Sequence, residues 1–126
     1  MCKLFVNADP DLYTFQTRSI RLHGVATSLR LEKQFWDVLA EIGARDAMTV
    51  PQLIARLYDE LMATGADLNN FASFLRVCCT RYLSLQRFGL IPGDPAVPIR
   101  SLDADSVLAA ERAHARRCAP DAHVRG

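Results

Sequence analysis

The chain has 126 residues, half of them apolar, with a formal net charge of +1. That suffices for one compact domain with a core and hardly for two. No apolar run approaches the roughly 20 residues of a membrane-spanning helix, and so balanced a charge does not by itself announce a nucleic-acid partner.

Residues 1–17 read as an irregular N-terminal arm. Asp9-Pro10-Asp11 is turn chemistry, and Leu12, Tyr13 and Phe15 look like anchors for docking on a core. The apolar stretch near Met1 is too short for a signal peptide. Cys2, Cys78, Cys79 and Cys118 form no CxxC pair and no regular framework, so they read as thiols. Both points predict a cytoplasmic location.

Residues 18–31 alternate. Ile20 and Leu22 are apolar between polar Ser19, Arg21 and His23; after Gly24, Thr27, Leu29 and Leu31 alternate with Ala26, Ser28 and Arg30. Period two is the strand signal. Gly24 is compatible with a hairpin turn or with one bent strand. Charge is uneven here: between Arg18 and Lys33 lie four cations (Arg18, Arg21, Arg30, Lys33) and one anion, Glu32.

Helical spacing follows. Phe35, Val38, Leu39 and Ile42 predict a helix over 32–46, with Lys33, Asp37, Glu41 and Arg45 on the wet face. Thr49-Val50-Pro51-Gln52 has capping-box spacing with a proline where a first helical turn tolerates one, so a second helix starts there, carrying Leu53, Ile54, Leu57, Tyr58 and Leu61 and stopping near Gly65. A third helix starts at Asn69 or Asn70, with Phe71, Phe74, Leu75, Cys78, Tyr82 and Leu85 on one face and Arg76, Thr80, Arg81 and Arg87 outward. The Pro-rich stretch 91–98 cannot continue it. Residues 89–126 read as a Pro-containing linker and a loosely attached tail, with one short helix from about Asp103 to Arg117. The chain reads without internal repeat or low-complexity tract.

One strand and two amphipathic helices cannot close a core alone. Two copies can: their strands pair antiparallel across a two-fold axis and the helices wrap behind. The expected fold is therefore mostly α with a short β-ribbon, an intertwined homodimer with an added third helix over 18–88. Its dimer core would hold Leu29, Leu31, Phe35, Leu39, Ile42, Val50, Leu53, Ile54 and Leu57. A two-stranded ribbon fits the DNA major groove. Ala26, Ser28 and Arg30 would then face the bases. Arg18, Arg21, Lys33 and the helix start at Thr49 and Val50 would meet phosphates.

Two segments carry a family resemblance. Ala26-Thr27-Ser28-Leu29-Arg30-Leu31-Glu32-Lys33-Gln34-Phe35-Trp36-Asp37 and Ala47-Met48-Thr49-Val50-Pro51-Gln52-Leu53 resemble the ribbon-helix-helix domain of Arc/MetJ type. Within that superfamily they are similar to a bacterial subgroup, which the arm also resembles through Met1-Cys2, Phe5 and Thr17-Arg18-Ser19-Ile20-Arg21-Leu22-His23-Gly24. The likeness spans roughly residues 1 to 86. It implies a homodimer that binds double-stranded DNA as a transcription regulator, with dimers side by side on an operator. It puts Ala26, Ser28 and Arg30 at the outward strand positions and Thr49 and Val50 at the phosphate-contacting helix start. The family's usual glycine before the second helix is Ala47 here, which is tolerable if that residue is not left-handed.

Other chemistry is sparse. His114 and Cys118 share a helical face, but zinc wants three or four ligands, so no metal or other cofactor is expected. Cys2 as an N-terminal nucleophile would need a catalytic domain that this length does not hold, so no enzyme is expected. The competing reading is a dimeric protein-interaction module, in one version an antitoxin-like chain whose tail folds on its partner.

Overall fold

The computed structural model describes residues 2–118. Strands β1 (Phe15–Leu22) and β2 (Val25–Glu32) form an antiparallel hairpin. His23 and Gly24 join them with φ of 51° and 83°, a two-residue turn with both angles positive, which matches the right-handed twist of the strands. The hairpin alternative left open by Gly24 is therefore the one adopted. Within the chain β2 pairs with residues 15–22, read partly as arm.

An isolated hairpin is marginal in water; this one is held by the core beneath it. Ile20, Leu22, Leu29 and Leu31 are buried on one face. They meet Trp36 and Leu39 of α2 (Lys33–Arg45), Leu53 and Ile54 of α3 (Val50–Ala63), and Phe71, Leu75 and Cys79 of α4 (Phe71–Arg87). Each fully buried aliphatic or aromatic side chain contributes about 1.5–3 kcal/mol. The Trp36 indole N–H donates to the Gln16 carbonyl at 3.0 Å, and the Lys33 N–H donates to the Thr14 carbonyl at 2.9 Å, fixing the open end of the hairpin to α2.

Of the residues expected in a shared dimer core, Leu29, Leu31, Leu39, Leu53 and Ile54 are buried within the single chain, whereas Phe35, Ile42, Val50 and Leu57 are half-buried around that core.

The corner between α2 and α3 is tight. Met48 N–H donates to the Gly43 carbonyl at 2.8 Å, and a Cβ on Gly43 would lie 2.8 Å from the Met48 carbonyl oxygen. Ala47 has φ 55°. It is left-handed after all, the condition under which glycine would be the better residue.

The N-terminal arm is more regular than expected. α1 (Cys2–Val6) is followed by a 3-10 turn at Pro10–Tyr13. Of the three expected anchors only Leu12 is half-buried; Tyr13 and Phe15 are exposed.

Residues 90–118, read as linker and loose tail, are tied to the domain by long-range contacts. Ile91 is buried. The buried Arg45 guanidinium donates through Nε to the Val97 carbonyl at 2.9 Å, and Arg100 N–H donates to Asp46 Oδ1 at 3.2 Å. α5 (Ala104–Cys118) is held by two hydrogen bonds from Arg81 to Glu111, one of 2.9 Å, and by the His114 ring 4.0 Å from that of Phe88. Residues 119–126 of the expected tail lie outside the described residues.

Candidate nucleic-acid interface

Strand alternation sorts the hairpin into two faces. Residues directly opposite one another share a face, so the register Thr17↔Arg30, Ser19↔Ser28 and Arg21↔Ala26 gathers those six residues on the face turned away from the helices. All six are exposed. The helix-side pairs include Ile20↔Thr27 and Arg18↔Leu29. The outward face is polar except for Ala26 and the aromatic rim residue Phe15.

Both outward arginines are braced within the hairpin. The Arg30 guanidinium sits 4.1 Å from the Phe15 ring centroid, an arrangement worth about 0.5–1 kcal/mol at an exposed site. Arg21 Nη1 donates to the Gly24 carbonyl at 3.1 Å. Each guanidinium keeps further N–H donors for a planar, two-pronged acceptor such as a guanine edge or a phosphate.

Four expected site residues therefore come together on this face: Arg21, Ala26, Ser28 and Arg30. The others do not join it. Arg18 is on the opposite side of the sheet, 4.4 Å from the Trp36 ring centroid and hydrogen-bonded to Gln16. Lys33 begins α2, and its ammonium is paired with Asp37 at 2.8 Å. At the start of α3 the capping box is complete: Thr49 Oγ1 accepts from Gln52 N–H at 3.3 Å and Gln52 Oε1 accepts from Thr49 N–H at 2.9 Å. Because Pro51 has no N–H, only the Val50 N–H of this first turn is left without a partner among the described residues. The set of free donors expected there reduces to one.

Two outward cations of α4 are engaged inside the molecule. Arg76 Nε donates to Glu32 Oε1 at 3.0 Å, and Arg81 binds Glu111. Burial pushes the Glu32 carboxyl up, but its own backbone N–H and the Arg76 guanidinium outweigh that and hold it below the usual carboxylate range. Burial pushes the Cys79 thiol up to about 12, with the neighbouring Cys78 adding to it, so Cys79 is an inert core thiol. Among the described residues no three His, Cys, Asp or Glu side chains are grouped to hold a metal ion, and no helix is long and apolar enough to cross a membrane.

Thr17 and Ser19 were not among the expected site residues. The signal for them is a short repeat. Ser19-Ile20-Arg21-Leu22 and Ser28-Leu29-Arg30-Leu31 lie nine residues apart, and only the register reveals that their polar members share one surface.

The solved structure of an uncharacterized protein from Bordetella pertussis Tohama I is similar, with 54% sequence identity, a TM-score of 0.83, and coverage of 100% of this chain and 94% of that one. A search of the curated proteins found no match. The model of the ribbon-helix-helix domain matches residues 15–83, the span from the first residue of β1 into α4. With more than half of its length matched, and with a two-stranded ribbon followed by helices, the chain belongs to the ribbon-helix-helix domain family, whose general role is DNA binding.

Proposed function

We propose that the protein is a sequence-specific DNA-binding transcription regulator that lays the outward face of its β1–β2 hairpin in the major groove. The observation carrying this reading is the exposed array on that face, with Ala26, Ser28 and Arg30 in alternation on β2 and two braced arginines. Arg30 is suited to the O6/N7 edge of guanine, Ser28 to a donor or acceptor, and Ala26 to a thymine methyl. Arg21, Lys33 and the Val50 N–H supply phosphate contacts that fix register. Arg18, turned toward Trp36, has no part in this reading.

The working form is a cytoplasmic homodimer. Half-buried Ile42 of α2 and Leu57 of α3 line an apolar groove of about 430 Å³ that also takes in residues of α4 and α5, a surface a second copy would cover. No catalytic role enters.

A second reading, a protein-interaction module, draws on α1, where Leu4, Phe5 and Val6 are exposed by 76%, 67% and 74%. The two separate in one experiment: selection of genomic fragments by the purified protein at about 150 mM salt, where binding by charge alone is much weakened. A recurrent enriched sequence is the expected result. A folded protein that enriches none would favour the interaction module.

A further inference from the structure

The repeat within the hairpin has a geometric consequence. Residue i of β1 corresponds to residue i+9 of β2: Thr17 to Ala26, Ser19 to Ser28, Arg21 to Arg30. Antiparallel pairing sets Ser19 directly opposite Ser28, that is, opposite its own equivalent. This is the condition for a local two-fold axis through that pair, perpendicular to the sheet. The axis exchanges the pair Thr17↔Arg30 with Arg21↔Ala26. It carries Ile20 and Leu22, buried on the helix side, onto Leu29 and Leu31, which are buried as well. It also relates the two braces, because Phe15, which supports Arg30, corresponds to Gly24, whose carbonyl holds Arg21.

We infer that one chain carries a complete, pseudo-two-fold reading face, in which Arg21 and Ser19 of β1 read bases as the counterparts of Arg30 and Ser28 of β2. This rests on the DNA-binding reading above and changes its content. Arg21 moves from phosphate to base, and a two-fold-related sequence is recognised by a single hairpin, with no strand from a second copy needed. The chemistry supports this. The two arginines occupy symmetry-related positions, are both exposed and lie on the same outward side of the sheet, although Arg30 faces Thr17 and Arg21 faces Ala26. They stand at opposite ends of the array, four residues apart along the ribbon, roughly 13 Å at the rise of a β-strand. Laid along the groove, they reach guanines roughly four base-pair steps apart, one on each strand.

The test is selection of binding sites from random duplex DNA by the full chain and its R21K and R30K variants. Lysine keeps the charge that a phosphate contact uses but loses the planar fork that holds a guanine edge. Both arginines are exposed, and equal thermal midpoints establish that the variants are folded. The wild type is expected to select a site with two symmetry-related guanines. R30K should lose one of them and keep the other, R21K should do the same, and each should bind the wild-type site about 5- to 150-fold more weakly. The double variant should lose both. If R30K loses both guanines together while R21K leaves both conserved, the reading face is made of two β2 strands from two copies, and the inference is overturned. If the wild type selects no site at all, the DNA-binding reading itself fails and takes this inference with it.

Discussion

The indole of Trp36 holds β1 by its main chain, donating to the Gln16 carbonyl at 3.0 Å while the Arg18 guanidinium covers its ring at 4.4 Å. Trp36 is 1% exposed, so the hairpin's open end depends on a part-buried hydrogen bond from a residue 20 positions away. Trp36→Phe keeps most of the packing and leaves the carbonyl without its indole partner, which should cost about 1–3 kcal/mol. Trp36→Ala should cost about 3–5 kcal/mol. Denaturant unfolding checks both. A Trp36→Phe variant as stable as wild type would mean the indole hydrogen bond contributes nothing.

Ala47, at φ 55°, holds a left-handed conformation that favours glycine. A left-handed L-residue costs roughly 1–2 kcal/mol, and glycine's larger unfolded-state entropy offsets about 0.5–1 kcal/mol of the gain. Ala47→Gly should therefore raise stability by about 0.5–1 kcal/mol. The thermal midpoint is the readout, and a lowered midpoint would contradict the backbone assignment at the α2–α3 corner.

The Arg81–Glu111 pair ties α5 to α4. The Arg81 hydrogen bonds hold the Glu111 carboxyl below its ordinary 4.5, against a smaller upward push from burial. A depressed carboxylate stabilises the folded form fully above its unfolded value, and that stability is lost as pH falls through the folded value. Acidification from about pH 5 downward should loosen α5 before the hairpin core. Both side chains are partly exposed, at 42% and 30%, so the contribution is at most about 1 kcal/mol. Amide exchange along α5 at neutral and acid pH measures it. In Glu111→Gln the protection should already be reduced at neutral pH and change little on acidification; the full wild-type pH response in that variant would contradict the assignment.

Much of the fold is legible in local pattern. Alternation over 18–31, the three helices α2, α3 and α4 and the Thr49 capping box reappear close to their expected positions. The buried faces of two helices are turned, however. In α2, Trp36 and Arg45, expected beside the stripe and on the wet face, are buried while Phe35, Val38 and Ile42 are half-buried; in α4, Cys79 is buried in place of Cys78. The outward placement of Ala26, Ser28 and Arg30 follows from alternation alone. What escapes is set by distance or by dihedral angle. Gly24 permits a hairpin and a bent strand alike; the choice depends on His23 accepting φ 51°, which no residue pattern displays. The Pro-rich stretch reads as a linker because its anchor, Arg45 to the Val97 carbonyl, joins residues 52 positions apart. Arg18 is a different case: it shares its strand parity with the buried Ile20 and Leu22, so the alternation that sends Arg21 to the open face also sends Arg18 to Trp36, and expecting both at phosphates overlooks it. The Ser19 and Ser28 repeats are too short to stand out until pairing sets them opposite one another.

The central claim is that the hairpin's open face enters the major groove. Guanine N7 lies in that groove and is the atom a bidentate arginine engages. Methylation protection of a selected site by dimethyl sulfate therefore tests the claim most directly. The account predicts that bound protein shields guanine N7 within the site and that Arg30→Ala removes the shielding at a symmetry-defined guanine. Bound protein with every guanine N7 as reactive as in free DNA would contradict it.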